Sequence, residues 1–374
     1  MKRSIIILSV AACVLTQARA DFREGYYDAL DGLTREYLKA AAKESVTSHT
    51  RLSYTDLPTY WENSDVYPDL VENPSKAGEM CKRWWEMYSA NVYLILPGQT
   101  ARASYSANGM QREHVVPKSW WKENNDVEYT PAYSDMWNLF PSDGKANNAK
   151  SNYPVGETAD NPKFNNGVTK VGVPKADCGG GVGMVFEPAD EYKGDFARAY
   201  FYVATVYDHL QWTDSRNTVF ERTFWPTFRP WAIDMLLEWS RRDPVSDKER
   251  LRNDAVEKSQ GNRNPYVDFP ELAEYVWGAR MDETFYLSEQ SGLRPTAPGS
   301  AGIDAPSTSA MPIGFIDGGF SVLSSVSDLR VYDISGRMVM HVAYAGCGDT
   351  FLLPRGIYIV TAEGFSGAFK LVVR

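Results

Sequence analysis

Arg112-Glu113-His114-Val115-Val116-Pro117-Lys118-Ser119-Trp120-Trp121 is the stretch around which the rest of this chain is read. An acid stands directly before a histidine, two β-branched residues follow, and a proline comes three residues after the histidine. Four histidines occur, at 49, 114, 209 and 341, and only His114 sits in an acid- and amide-rich neighbourhood. A histidine with an ordinary pKa near roughly 6.5 takes a proton from water at neutral pH, and an adjacent carboxylate can hold a divalent cation. Glu113 and His114 therefore read as a candidate hydrolytic pair. On a regular strand their side chains point to opposite faces, so they serve one site only at a strand end or a bulge. His49, His209 and His341 read as structural or exposed.

Working outward, Asp135-Met136-Trp137-Asn138-Leu139-Phe140-Pro141-Ser142-Asp143-Gly144 gives a strand-like apolar piece and a turn. The polar run Lys145 to Pro154 follows, and its asparagine oxygens can complete a site for a hard cation. Helices are expected at Leu33 to Glu44, Ala77 to Val92, Asp190 to Leu210, where Phe196, Tyr200, Val203 and Tyr207 recur near the helical period, and from the capping-box sequence Ser246-Asp247-Lys248-Glu249 toward Ser259. Residues 294–311, RPTAPGSAGIDAPSTSAM, read as a linker, and all 11 tryptophans precede it, between Trp61 and Trp277. Beyond it the pattern alternates. Leu329 to Ile334 and Arg337 to Met340 read as a hairpin about Ser335-Gly336, and Gly356 to Val360 and Phe369 to Val373 add two strands, together a small all-β sandwich.

The 374 residues, 43% hydrophobic and 23% charged, describe a packed chain rather than a disordered one. A net charge of −9 excludes a uniformly basic nucleic-acid cradle and leaves a local basic cleft open. Residues 1–20 read as a secretory signal, with Lys2 and Arg3 ahead of an apolar stretch and Ala18-Arg19-Ala20 as the cleavage site; losing these three cations takes the charge to −12. Val10-Ala11-Ala12-Cys13 offers lipoprotein processing as the alternative. The remaining cysteines, Cys81, Cys178 and Cys347, allow one disulfide at most and match no zinc spacing.

The blocks REHVVPKSWW, DMWNLFPSDGKANNAKSNYPVGE, FEPADEYKGDFARAYFYVATVY and RRDPVSDKERLRNDAVEKSQGNRNPYVD, ordered over residues 112–268, resemble the endonuclease I family of secreted, non-specific nucleases with a ββα-metal (His-Me finger) site. The resemblance implies an α+β, largely helical catalytic domain over 21–293 with the finger near 112–153. It implies that Glu113 and Asn147 bind one Mg²⁺, with Asn148 the neighbouring alternative and Mn²⁺ or Ca²⁺ as substitutes. His114 would be the general base, and Asn138 would support the turn and orient it. Lys150, Arg198 and Arg263 are the candidates for substrate contact. The implied substrate is DNA, and RNA with it, cut with little sequence readout to leave a 5′-phosphate. Residues 312–374, with Asp333-Ile334-Ser335-Gly336-Arg337, Pro354-Arg355-Gly356-Ile357-Tyr358 and Lys370-Leu371-Val372-Val373-Arg374, resemble the sorting domains of the type IX secretion system of Bacteroidota. That implies the secretion machinery as partner, a secreted or outer-surface location, and no transmembrane segment in the mature chain.

Two positions depart from the family pattern. Trp137 stands where relatives often have His, and Lys150 where many have Arg, which keeps charge but loses a bidentate fork. A rival reading is a non-catalytic glycan-binding or adhesive protein on a nuclease-like scaffold, using the aromatic pairs Trp84-Trp85 and Trp120-Trp121; core packing is the simpler reading of those pairs. A third is a phosphodiesterase restricted to small nucleotides. Arg241, Arg242, Lys248, Arg250 and Arg252 form either a phosphate-facing patch or a solvated helix face.

Overall fold

The computed structural model describes residues 22–23, 25–121, 127–290, 313–316, 319–322, 326–333, 337–346, 349–363 and 369–373. The expected export signal and the 294–311 linker lie outside them. The chain divides into two compact units, Met1–Pro298 and Gly299–Arg374. Among the described residues no helix is long and apolar enough to cross a membrane.

The first unit is a mixed α+β fold with a helical core. Its helices are α1 (Arg35–Thr47), α2 (Leu57–Trp61), α3 (Ala101–Ala107), α4 (Gly144–Lys150), α5 (Lys193–Val206), α6 (Pro230–Arg242), α7 (Asp247–Gln260), α8 (Pro265–Asp268) and α9 (Leu272–Trp277). Short strands stand between them: β1 (Val71–Glu72), β2 (Met80–Arg83), β3 (Leu94–Ile95), β4 (Gln111–His114), β5 (Leu139–Ser142), β6 (Phe164–Asn165), β7 (Lys170–Gly172) and β8 (Val185–Glu187). They pair into the sheets β1-β2-β3, β4-β5 and β6-β7-β8. Every residue of α5 is buried, as befits a helix with aromatic residues around its circumference, and it packs against α1, α6 and α8.

Burying α5 requires partners for its charges. Arg198 forks onto Glu249 of α7 and donates to the Asp243 carbonyl at 2.9 Å, while Lys193 meets Asp190 at 2.7 Å and Glu187 at 3.3 Å. The expected Asp190–Leu210 helix is thus α5 with a 3-10 turn before it, and the Ser246 helix is α7, closed by a capping box and ended by Gly261 in the left-handed region. The basic cluster around 241–252 divides between a solvated side, with Arg241 and Arg242 exposed, and a buried side. Lys248 and Arg252 are buried, and Arg241 and Arg242 pair with Glu274 and Glu238. Arg252 binds Asp65 and the Met136 and Leu139 carbonyls and lies over the Phe140 ring, which fixes the entry to β5.

The helix expected at Ala77–Val92 is absent. Met80 and Lys82 are exposed and Cys81 between them is buried, so the period is two and the segment enters β2. Trp84, Met87 and Tyr88, which follow, are buried by a loop rather than by a helix.

The second unit consists of a sheet β13-β10-β9 and a sheet β12-β11-β14-β15, where β9 is Ile313–Ile316, β10 Gly319–Val322, β11 Val326–Asp333, β12 Met338–Ala345, β13 Thr350–Leu352, β14 Gly356–Glu363 and β15 Phe369–Val373. Phe320, Leu329, Val331, Val360 and Leu371 belong to one buried cluster. The expected hairpin is the antiparallel pair β11–β12.

Removing one member of a buried ion pair strands the other, so Arg252→Ala is expected to lower stability by about 3–5 kcal/mol. Ser246→Ala, which loses one cap, should lower it by about 1 kcal/mol. Urea unfolding followed by tryptophan fluorescence measures both.

Candidate active site at the end of β4

Strand β4 pairs antiparallel with β5, Glu113 opposite Phe140 and His114 opposite Leu139, and α4 begins two residues after β5 ends. Asp143 caps that helix by accepting from the Ala146 N–H at 2.8 Å. A Cβ on Gly144 would sit 2.9 Å from the Gly109 carbonyl, so glycine is what lets α4 enter tight against the turn that precedes β4. Two strands and a helix thereby converge on an open cleft of about 460 Å³. Its lining includes Tyr54, Arg112, Glu113, His114, Lys118, Asn147 and Asn152. His114 is the last residue of β4, the strand-end position that lets neighbouring side chains serve one site.

The His114 ring is oriented by a backbone carbonyl. Its Nε2 lies 3.0 Å from the Tyr133 oxygen, and since a carbonyl only accepts, Nε2 carries the proton and Nδ1 keeps the lone pair. Aromatic rings surround it: Tyr54 stacked at 6.2 Å, Trp121 edge-on at 5.9 Å and Tyr133 at 5.5 Å. This burial drives its pKa down to about 3, with Lys118 and Lys150 adding to the effect against the Tyr133 hydrogen bond. The resting ring is therefore neutral.

Glu113 is buried, and burial pushes its carboxyl above the usual range while the Lys150 ammonium opposes that shift. Lys150 Nζ donates to Glu113 Oε1 at 2.5 Å and to the His114 carbonyl at 3.0 Å. Asn147, one turn earlier on α4, donates from Nδ2 to Gln111 Oε1 at 2.8 Å, which leaves Oδ1 as the atom it presents to the cleft. Among the described residues no group of three or more His, Cys, Asp or Glu could hold a metal ion. The cleft instead offers one carboxylate and one amide oxygen, hard donors that suit an ion retaining most of its water shell.

The structure brings Glu113, His114 and Asn147 to one cleft; Asn148 is exposed and absent from its lining. Asn138 stands one step back. Its Oδ1 accepts from the Val116 N–H at 2.9 Å and its Nδ2 donates to the Ala132 carbonyl at 3.3 Å, bracing the segments on both sides of His114. Lys150, Arg198 and Arg263, expected to meet substrate, are all buried and outside the cleft lining. Arg263 is bound by Asp254, Glu257 and Asp268. Trp137 packs in the core beside Tyr202. Trp84, Trp120 and Trp121 are buried and Trp85 stacks on Tyr67 at 4.2 Å, so the paired tryptophans are packing residues.

Sequence reading missed Arg112, Lys118 and the Tyr133 carbonyl. Arg112 was legible, since residues i and i+2 share a strand face and His114 is two positions on. The carbonyl carries no side-chain signature.

A sequence model of the family described as Endonuclease I matches residues 34–271. The extracellular ribonuclease of Bacillus subtilis (strain 168) is 30% identical over 284 residues, 72% of this chain and 83% of the relative. Endonuclease-1 of Buchnera aphidicola subsp. Baizongia pistaciae is 26% identical over 211 residues, 50% of this chain and 73% of the relative. A periplasmic deoxyribonuclease of Aeromonas hydrophila is 27% identical over 170 residues, 42% of this chain and 62% of the relative.

The folded pKa of His114 lies below the unfolded one, so its neutral ring adds stability that is fully present above about pH 6.5 and is lost as the pH falls toward 3. The urea midpoint of the wild type should therefore fall more steeply with acid than that of His114→Gln. Nitrogen-detected NMR should show a neutral His114 ring, protonated on Nε2, through the neutral range.

Proposed function

The chain belongs to the endonuclease I family, and from that premise we propose that it is a secreted, divalent-metal-dependent endonuclease acting on DNA and RNA with little sequence readout. Family membership supports nucleic-acid hydrolysis; the arrangement of His114 carries the finer reading. A neutral imidazole with Nε2–H fixed on a carbonyl has its lone pair on Nδ1 and opens onto the cleft that Glu113 and Asn147 also line.

In this reading β4, β5 and α4 are the ββα-metal finger, and Glu113 and the Asn147 oxygen would hold a Mg²⁺, which would supply charge neutralisation at the phosphate and leaving oxygens. His114 Nδ1 takes the proton of the attacking water, the new bond forms from that oxygen to phosphorus, and the P–O3′ bond breaks to leave a 5′-phosphate. The surroundings of His114 disfavour an imidazolium, and the negative phosphodiester of a substrate supplies the field that favours it. Arg112 and Lys118 face the backbone phosphates, the contact that binds without reading bases. Lys150 opposes the upward shift of the Glu113 carboxyl and holds it in place from behind rather than touching substrate.

Residues 1–20 serve as the export signal and 21–293 as the catalytic domain. After the 294–311 linker, the β-rich unit serves as a type IX sorting domain. Its own buried cluster supports a role separable from catalysis.

Plasmid DNA and a structured RNA incubated with the full chain should both be cut with Mg²⁺ and spared with EDTA. His114→Ala should lower kcat by about 10²- to 10⁴-fold. Glu113→Gln should lose activity in the same assay, and full activity in either variant overturns the mechanism.

A further inference from the structure

A second pocket is tied to the active-site cleft by one hydrogen bond between their linings. Asn152 lines the cleft, and its Oδ1 accepts a hydrogen bond from the guanidinium of Arg216. Arg216 in turn lines a neighbouring pocket of about 390 Å³ with Tyr153, Ser215, Thr218 and the glycine-rich segment from Gly180 to Gly183. The two depressions are thus joined through a single hydrogen-bonded pair.

The chemistry of this second pocket is that of an anion site. Its lining contains no carboxylate. Among the described residues the Arg216 guanidinium has no acidic partner: it rests 5.1 Å over the Tyr153 ring and binds the neutral Asn152 amide. The adjacent Asp214 carboxylate accepts from the backbone N–H of Arg216 at 2.7 Å instead. In a chain of net charge −9, an exposed guanidinium left unneutralised beside a catalytic cleft is a fixed charge awaiting a counter-charge.

The glycine segment supports the same reading. Gly179, Gly180 and Gly181 all have positive φ, which glycine adopts without a Cβ penalty, and Gly180, Gly181 and Gly183 bring bare backbone to the pocket lining. The segment is also held firmly. Thr218 Oγ1 donates to the Gly179 carbonyl at 2.7 Å, Trp231 Nε1 donates to the Thr218 carbonyl at 2.8 Å, and a Cβ on Gly180 would lie 2.4 Å from that indole nitrogen. On the pocket side a Cβ at Gly181 or Gly183 meets nothing within 4 Å, so the backbone there is open to a ligand.

We propose that Arg216, Tyr153 and the 179–183 glycine segment form a flanking phosphate subsite, which holds a backbone phosphate of the same polynucleotide beyond the one being cut. The inference rests on the nuclease reading and deepens it: the substrate is a chain long enough to pass Asn152, and the small-nucleotide phosphodiesterase reading is disfavoured. Arg216 is a binding residue, and nothing at Nδ1 of His114 depends on it.

The test uses the full chain as wild type, Arg216→Ala, Arg216→Lys and Ser215→Asp, the last placing a negative charge in the same pocket. Cleavage of a dinucleotide and of a longer oligonucleotide is compared. Binding of the oligonucleotide across a salt series is measured in parallel on His114→Ala, alone and with Arg216→Ala, so that the subsite is read whether or not cutting occurs. Arg216→Ala is expected to raise KM for the oligonucleotide roughly 5- to 10-fold with little change in kcat. It should leave the dinucleotide untouched and reduce the slope of log affinity against log salt by about 1. Arg216→Lys should recover part of the loss and Ser215→Asp should mimic it. An unchanged KM and salt slope in Arg216→Ala, or equal losses on both substrates, overturns the subsite. Inorganic phosphate bound at Arg216 with no oligonucleotide dependence also overturns it, in favour of a free-phosphate site. A wild type that binds oligonucleotide through Arg216 but cuts nothing would instead overturn the nuclease reading and leave the subsite standing.

Discussion

A buried lysine ammonium joins the parts of the candidate site. Lys150, at the C-terminal end of α4, donates to the Glu113 carboxylate and to the His114 carbonyl, so that helix and strand are tied at two residues that line the cleft. An ammonium out of contact with water is tolerated only with such partners, and a buried carboxylate is costly without a cation beside it. The pair satisfies both demands and fixes Glu113 at the edge of the cleft. The rest of the site follows from the convergence of β4, β5 and α4 that this contact secures.

Around that contact the fold supplies rigidity from several directions. Arg252 braces the approach to β5 through the Met136 and Leu139 carbonyls, Tyr200 of the central helix donates to the Val115 carbonyl at 3.2 Å, and Asn138 bridges the Val116 amide and the Ala132 carbonyl. The histidine ring is thereby held by backbone groups whose own positions are over-determined. Aromatic walls make the same ring hard to protonate, which couples the packing of Tyr54, Trp121 and Tyr133 directly to the acid–base behaviour of the site. Although net acidic, the chain places Arg112 and Lys118 on the cleft and Arg216 on the pocket beside it.

What the sequence determined by itself was local. Glu113 and His114 adjacent before a β-branched pair, the capping box at Ser246, the alternation in β11 and β12 and the composition break after residue 293 are patterns within a few residues of chain, and local sterics and hydrogen bonding suffice to read them. Family blocks extended that reading to Asn147. The helix expected at Ala77–Val92 gives way to β2 and a loop, because Trp84, Met87 and Tyr88 are buried by contacts distant in the chain that no local pattern records.

Only the tertiary structure decided which charges are inside. Lys150, Arg198 and Arg263 carry the same side chains as surface cations, and sequence offers no means of distinguishing a guanidinium on phosphate from one spent on Glu249 or Asp268. The tautomer of His114 is likewise set by the carbonyl of Tyr133, 19 residues away in the chain. The contact of Asn152 on the cleft with Arg216 on the neighbouring pocket joins residues 64 apart in the chain. Such contacts form between segments that local propensity treats independently, and their strength comes from exclusion of water, which exists only once the chain has packed.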